Sequence, residues 1–379
     1  MRCSSMRSCT PLPALRTGAS RSAPLDCRPS PELSRRISSS ATEAVNLQGS
    51  PAGPAANGCC EGRAGALGCR PNTSIVQETT MGICDGRVVV ITGAARGLGR
   101  AHALAFAAEG AKVVVNDLGV ERDGSEGTSD AAQEVVDEIV AAGGEAVANA
   151  ADVADWDQAQ AMIQQAVDTF GGLDTLVLNA GFLKDRMLAG MSEAEWDSVT
   201  RVHLKGHFAP ARHAIEFWRE QAKGGAPVDA RVVNTSSGAG LAGSIGQGNY
   251  ATAKAGIALL TIQQAAEWGR YGVLANAVAP DARTRMTAGI FYEAEAPEGW
   301  DPKGPENVSP LVCWLGSDAC DVTGRVFEAT GGQLNVCDGW QKGPVESVGE
   351  RLMSTAEAGE LAHRSIDGTQ APAPVYGAG

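Results

Sequence analysis

An α/β fold with a doubly wound parallel sheet is what this sequence predicts, on three observations. Short β-branched runs such as Val88-Val89-Val90-Ile91 and Val113-Val114-Val115 alternate with helix-length segments from residue 87 onward. Fully apolar runs of that length suit central strands buried on both faces, and strand alternating with helix implies parallel pairing through crossovers. The first strand also runs through a glycine-rich turn, Thr92-Gly93-Ala94-Ala95-Arg96-Gly97-Leu98-Gly99, straight into a helical stretch.

The elements follow in order. Leu98 to Glu109 reads as a helix stopped by Gly110, and Val113–Val115 as the second strand. Asp130 to Ala142 is helical, Ala146 to Ala150 a strand, Asp155 to Phe170 a helix and Leu173 to Leu178 the fourth strand. Ser192 with Glu195 three residues on has the capping-box spacing, opening a helical region that continues towards Ala222. Arg231 to Asn234 is strand five, Asn249 to Arg270 a helix and Val273 to Val278 strand six. Pro310 to Leu315 is helical, and Arg325 to Ala329 is expected to close the sheet.

Residues 1–80 differ in kind. They are rich in Ser, Pro, Arg, Ala and Gly without hydrophobic period, and are expected to be a disordered extension that buries too little to offset its ordering entropy. An organelle transit peptide is one reading of an Arg- and Ser-rich leader; upstream sequence before a working protein that begins at Met81 is the favoured one. They hold nine of the 31 basic and five of the 44 acidic residues, so the remainder carries a net −17. An acidic body argues against nucleic-acid or anionic-membrane partners. No run approaches the roughly 18 apolar residues of a membrane span. The expected place is the cytoplasm, and the expected partners are a small-molecule substrate and further copies of the chain, as dimer or tetramer. The body's cysteines, Cys84, Cys313, Cys320 and Cys337, form no C-x-x-C pair, so neither a metal site nor a disulfide framework is expected.

The turn after the first strand carries chemistry. Gly93 permits a tight turn, Gly97 lets backbone approach a pyrophosphate, and Gly99 lets helix pack on strand, while the helix N-terminus, from Leu98, presents unpaired N–H groups. Asp117 lies 20 residues after Gly97, where a carboxylate accepts from both ribose hydroxyls of NAD and repels a 2′-phosphate. Arg96 points the other way, since a guanidinium pairs with that phosphate. Asp117 is expected nearer the 2′ position, so the expected cofactor is NAD. Asp152-Val153, after strand three, suits the adenine ring, or an ordinary helix cap.

Tyr250 and Lys254 stand at i and i+4, on one helical face. A nearby ammonium is expected to lower the phenol's pKa, fitting it for acid–base work near neutrality. Ser237, 13 residues upstream at the end of strand five, is placed to hold a substrate oxygen.

With Asn179-Ala180-Gly181 and Asn276-Ala277-Val278-Ala279-Pro280, these motifs resemble those of the short-chain dehydrogenase/reductase family, a single Rossmann domain, from Met81 to about Trp340. Val115-Asn116-Asp117-Leu118-Gly119, Arg201-Val202-His203-Leu204-Lys205-Gly206 and Arg285-Met286-Thr287 are similar, more narrowly, to the (3R)-hydroxyacyl-CoA dehydrogenase branch found in peroxisomal multifunctional enzyme type 2 and its bacterial relatives. The resemblance implies Ser237, Tyr250 and Lys254 as a catalytic trio, with Lys254 also on the nicotinamide ribose. Three departures stand out. Leu178 replaces a first Asn before Asn179; His203 stands where a helical Asn completes the family's tetrad, either relaying a proton or only packing; and Pro280-Asp281 replaces Pro-Gly near the nicotinamide carboxamide.

The resemblance sets the working domain at residues 81–344. Within it, Arg283 to Asn307, with Phe291, Tyr292 and Trp300, is expected to be a mobile substrate lid, and residues 345–379 a tail whose Tyr376-Gly377-Ala378-Gly379 end is no peroxisomal signal. The expected reaction moves a hydride between NAD(H) and a secondary alcohol or ketone. The substrate is a 3-hydroxyacyl or similar hydrophobic compound, or else a steroid, terpenoid or ring alcohol. A silent dinucleotide-binding regulator is the reading from another class, and the intact trio argues against it.

Overall fold

The computed structural model describes residues 82–119, 130–289, 292–293, 295–337, 339–367, 369–370 and 373–377. The extension expected over 1–80, and Phe291 of the lid, lie outside the described residues.

Strand β1 (Val88–Thr92) leads through the glycine turn into α1 (Gly97–Ala108), then β2 (Lys112–Asn116), α2 (Ala131–Ala141), β3 (Glu145–Asn149), α3 (Trp156–Phe170) and β4 (Thr175–Leu178). The second half runs α4 (Glu193–Thr200), one π-helical turn (Arg201–Lys205), α5 (Gly206–Lys223), β5 (Ala230–Thr235), α6 (Gly238–Ala242), α7 (Gly248–Trp268), β6 (Val273–Pro280), α8 (Ser309–Gly316), β7 (Val326–Thr330), β8 (Gln333–Cys337) and α9 (Thr355–Asp367). The strands form one sheet in the order β3-β2-β1-β4-β5-β6-β7-β8.

β1 is buried along its whole length and its side chains alternate between the two faces. Val89 and Ile91 join a core with Phe106 of α1, Val135 and Ile139 of α2 and Leu315 of α8. Val88 and Val90 join the opposite core with Met162 of α3, and Ala214 and Trp218 of α5. Each buried Val, Ile, Leu, Met or Phe among them contributes about 1.5–3 kcal/mol by leaving water, so the apolar runs read from the sequence hold helices on both faces. Local signals agree: Ser192 and Glu195 make both bonds of the capping box, and Gly171 ends α3 in the left-handed region at φ 88°.

One expectation is corrected and two gain detail. Arg325–Ala329 does not close the sheet: β8 pairs antiparallel with β7, so the sheet is mixed. β8 is mostly exposed, and an edge strand open to water lacks the fully apolar run that marked the others. The helical region expected to run on towards Ala222 does so without a gap, and the π turn within it carries His203 into the interior. The tail holds a helix, α9, amphipathic but anchored by one buried residue, Leu361.

Candidate active site

The sheet order reverses at β1, whose neighbours are β2 and β4, so a crevice opens beyond the carboxyl ends of these strands. A cleft is lined there by Gly93, Arg96, Gly97, Leu98, Asp117, Asp152, Val153, Asn179, Ala180 and Gly181, ten positions singled out from the sequence. Gly93 and Gly97 have φ of 64° and 53°, which side-chain-bearing residues adopt at a cost. A Cβ on Gly93 would lie 2.8 Å from the Ala180 backbone. Gly99 does not line the cleft; its Cβ would meet the Gly93 carbonyl at 2.0 Å, so this glycine lets α1 sit against the turn.

Asp117 closes the turn as well as facing the cleft. Its Oδ2 accepts from the Ala95 N–H at 3.0 Å and its Oδ1 from the Gly119 N–H at 2.8 Å. Asp152 accepts from the Ala154 N–H at 2.9 Å and pairs with Arg201 at 2.8 Å; it is not the helix cap that the sequence offered as its other role, since Asp155 caps α3. Asn179 binds β1 to β4: its amide donates to the carbonyls of Thr92 and Gly93 at 3.1 and 3.2 Å. The sequence assigned no cofactor role to Asn116, Phe182, Lys184, Arg201, Thr284, Arg285 and Met286, which also line the cleft. The last three belong to the stretch expected as a lid. There Arg283 pairs with Asp301 at 3.1 Å, and both Tyr292 and Lys303 bond Asp281, the residue after Pro280. Pro280 itself lies at the end of β6 and does not line the cleft.

The second group sits on α6 and α7. Ser237 caps α6, accepting from the Ala239 N–H at 3.2 Å, and its hydroxyl acts on the Tyr250 phenol, favouring the ionised form. Lys254 is buried one turn along α7, its Nζ 5.6 Å from the Tyr250 ring centroid and donating to the Thr235 carbonyl at 2.6 Å. Asn249 fixes the start of α7 by donating to the Lys184 and Glu195 carbonyls at 3.1 and 3.0 Å; nothing in its sequence context marks it except its place before Tyr250.

The expected electrostatics are corrected. Burial holds the Tyr250 phenol above its ordinary value, outweighing the Ser237 hydrogen bond, and Asp185 adds to the rise. Burial brings Lys254 down, to about 7. The lysine is thus only partly charged at neutrality, and the phenol is a proton donor rather than a ready base. An ammonium lowers a neighbouring pKa only while it stays charged, and here the same burial acts on both groups.

His203 is buried with its Nε2 2.8 Å from the Phe182 carbonyl, and its ring meets Tyr250 edge-on at a centroid separation of 5.1 Å and 86°. Burial, then the Lys254 charge, lowers its pKa to about 3. Gly181 connects this cluster to the cleft, since a Cβ there would touch the His203 ring.

Residues 87–294 match the family model for short chain dehydrogenases. The chain belongs to the short-chain dehydrogenase/reductase family. It is 49% identical over 261 residues to the hydroxyacyl-CoA dehydrogenase ChsB1 of Mycobacterium tuberculosis, covering 66% of this chain and 80% of that one. It is 43% identical over 250 residues to the mouse peroxisomal multifunctional enzyme type 2, of which it spans only 32%, against 66% of its own length. The crystal structure of a short chain dehydrogenase from Mycobacterium avium superposes with a TM-score of 0.71 at 61% identity, covering 78% of this chain and all of that one. The narrower resemblance to hydroxyacyl-CoA dehydrogenases is therefore also found. As a member of this family the chain is an oxidoreductase of CH–OH groups, and the family's cofactor is a nicotinamide dinucleotide. The cleft fits that cofactor: a glycine turn at a helix N-terminus for the pyrophosphate, and a carboxylate at the end of β2 for a ribose. Among the described residues no helix is long and apolar enough to cross a membrane.

Proposed function

We propose that this short-chain dehydrogenase interconverts a secondary alcohol and a ketone with NAD(H), on a 3-hydroxyacyl or similarly hydrophobic substrate. The observation that carries the reading is the cluster of Ser237, Tyr250 and buried Lys254, whose Nζ lies 5.6 Å from the Tyr250 ring centroid, joined through His203 and Gly181 to the glycine-turn cleft.

Gly93, Gly97 and the first turn of α1 would hold the pyrophosphate, and Asp117 the adenosine ribose. Bound there, the nicotinamide supplies or takes the hydride. Ser237 donates a hydrogen bond to the substrate oxygen. Tyr250, held protonated by burial, gives its proton to that oxygen as the carbonyl carbon becomes tetrahedral. Lys254, when charged, stabilises the phenolate that remains, and takes the reverse part in oxidation. Support for NAD over NADP is the Asp117 carboxylate at the cleft wall, despite Arg96 across the turn. Support for a hydrophobic substrate is the exposure of Met187, Leu188 and Ile245 around the start of α7. Support for a homo-oligomer is the run of exposed apolar side chains Trp196, Leu204 and Phe208 over α4 to α5.

The test is NADH formation from NAD⁺ across secondary alcohols, ring alcohols, steroids and 3-hydroxyacyl thioesters. Turnover of hydroxyacyl thioesters, with NAD⁺ preferred over NADP⁺, is expected; turnover of ring alcohols or steroids alone reassigns the substrate, and none at all overturns the reading.

A further inference from the structure

The C-terminal segment returns to the active site. The Tyr376 N–H donates to the Gly243 carbonyl at 3.1 Å, and the Tyr376 carbonyl accepts from the Ile245 N–H at 2.9 Å. These two bonds dock the tail as a short parallel bridge onto the loop between α6 and α7. That loop, residues 243–247, lies between Ser237 at the start of α6 and Tyr250 in the first turn of α7, so the tail is fastened to the backbone that spaces the two hydroxyls.

The Tyr376 side chain reaches further. A Cβ on Gly238, the residue after Ser237, would lie 2.8 Å from the Tyr376 hydroxyl and 3.1 Å from its ring. The same hydroxyl donates to Glu328 of β7 at 3.4 Å. Its ring therefore stands against the Ser237-Gly238 turn, and half of its surface remains exposed. Val375 packs on Gly243, a Cβ there lying 3.3 Å from it, and Ile245 beside it is 51% exposed. Across the start of α7, Leu188 rests on Gly248, two residues before Tyr250, and is 65% exposed. Apolar side chains thus lie against the backbone next to each reacting residue, those beside Ser237 supplied by the tail.

We propose that Tyr376 forms one wall of the substrate site and sets which hydrophobic limb is accepted beside the reacting carbon, a specificity role that rests on the alcohol–ketone reading above. An aromatic face with one edge tied by hydrogen bonds loses little entropy on contact, so it is suited to a fixed wall. Its Gly238 neighbour has to be glycine for the ring to come this close. The wall meets the substrate rather than the nucleotide held in the cleft, because none of Val375, Tyr376 or Ile245 lines that cleft.

The experiment compares wild type, Tyr376→Ala and Tyr376→Phe in the full chain, with kcat/KM for NADH-dependent reduction of short and long 2-alkanones and the Kd of NADH. Tyr376→Ala should change the long-to-short ratio by about tenfold, the scale of a methylene-sized change in pocket shape. NADH affinity should stay within about twofold, and Tyr376→Phe should keep the wild-type ratio. An unchanged ratio in Tyr376→Ala, a joint loss of NADH binding, or an equal shift in Tyr376→Phe overturns the proposal. If wild type reduces no alkanone while turning over another substrate class, the ratio is read with short and long members of that class. If it turns over nothing, the proposed reaction fails by itself, and calorimetric binding of the long 2-alkanone to NADH-loaded protein decides the wall. Weaker binding in Tyr376→Ala then supports it; equal affinity, or no binding to either protein, overturns it.

Discussion

Gly181 and His203 touch backbone to ring: a Cβ on Gly181 would lie 2.1 Å from the imidazole Cε1 and 2.8 Å from Nδ1. The ring is held in place, because its Nε2 is bonded to the Phe182 backbone and its edge meets the Tyr250 ring. The third residue of Asn179-Ala180-Gly181 is thus glycine because of a side chain 22 residues on. Gly181→Ala should cost about 1–3 kcal/mol, the usual scale of overpacking, and lower kcat by displacing Tyr250. In a His203→Ala background the methyl fits the space vacated, and its cost should nearly vanish. Denaturant unfolding of the four proteins of this cycle checks it, since additive losses would mean that the two residues do not press on each other.

Tyr250→Phe should lower kcat by about 10²–10⁴-fold, the usual contribution of a general acid, with NADH affinity changing little. Lys254→Met should lower kcat too. His203 separates relay from packing: His203→Leu should slow the reaction and flatten its pH profile if the imidazole passes protons, and leave both as in wild type if it packs. Steady-state kinetics with fluorescence titration of NADH distinguishes these outcomes.

Much of this was legible because it is local. The run Val88–Ile91, the glycine turn and the Ser192–Glu195 capping box each act within a few residues, so spacing alone exposes them. Gly181, Asn249 and Tyr376 act through partners far along the chain, and no local pattern announces such contacts. The electrostatics failed for a related reason. Spacing places Lys254 beside Tyr250, but the desolvation that reverses the expected shift depends on every element packed around them. β8 escaped because a water-facing edge strand lacks the apolar run by which the others were found.

Asp117 is engaged by the Ala95 and Gly119 amides, which changes what its substitution should do. Asp117→Ala removes the repulsion of a 2′-phosphate and also loosens the turn that cradles the pyrophosphate. Selectivity should shift towards NADP(H), while Kd rises for both dinucleotides. Asp117→Asn keeps an acceptor oxygen for one amide, so it should shift selectivity with a smaller loss of affinity. Equal losses for both cofactors, with selectivity unchanged, would assign Asp117 to the turn alone.

The buried bases predict two pH effects of different sign. Reductive kcat/KM should fall as pH rises through about 7, because Lys254 then loses the charge that stabilises the departing phenolate. Lys254→Met should remove that inflection. Stability responds at lower pH. His102 and His203 each have a folded pKa of about 3 against an ordinary 6.5, so between those values the unfolded chain binds more protons. Their contribution is fully present above about 6.5 and is lost as pH falls towards 3. Melting temperature should therefore drop steeply over that window. His102, whose Nδ1 lies 2.9 Å from the Ser309 hydroxyl and far in sequence from the catalytic helix, offers the cleaner probe. His102→Gln removes its titration while leaving an amide for that hydroxyl. The variant should be somewhat less stable at pH 7 and show a shallower acid slope. A slope identical to wild type, measured by calorimetry across the window, would mean that His102 is protonated in the folded protein as readily as in the unfolded chain.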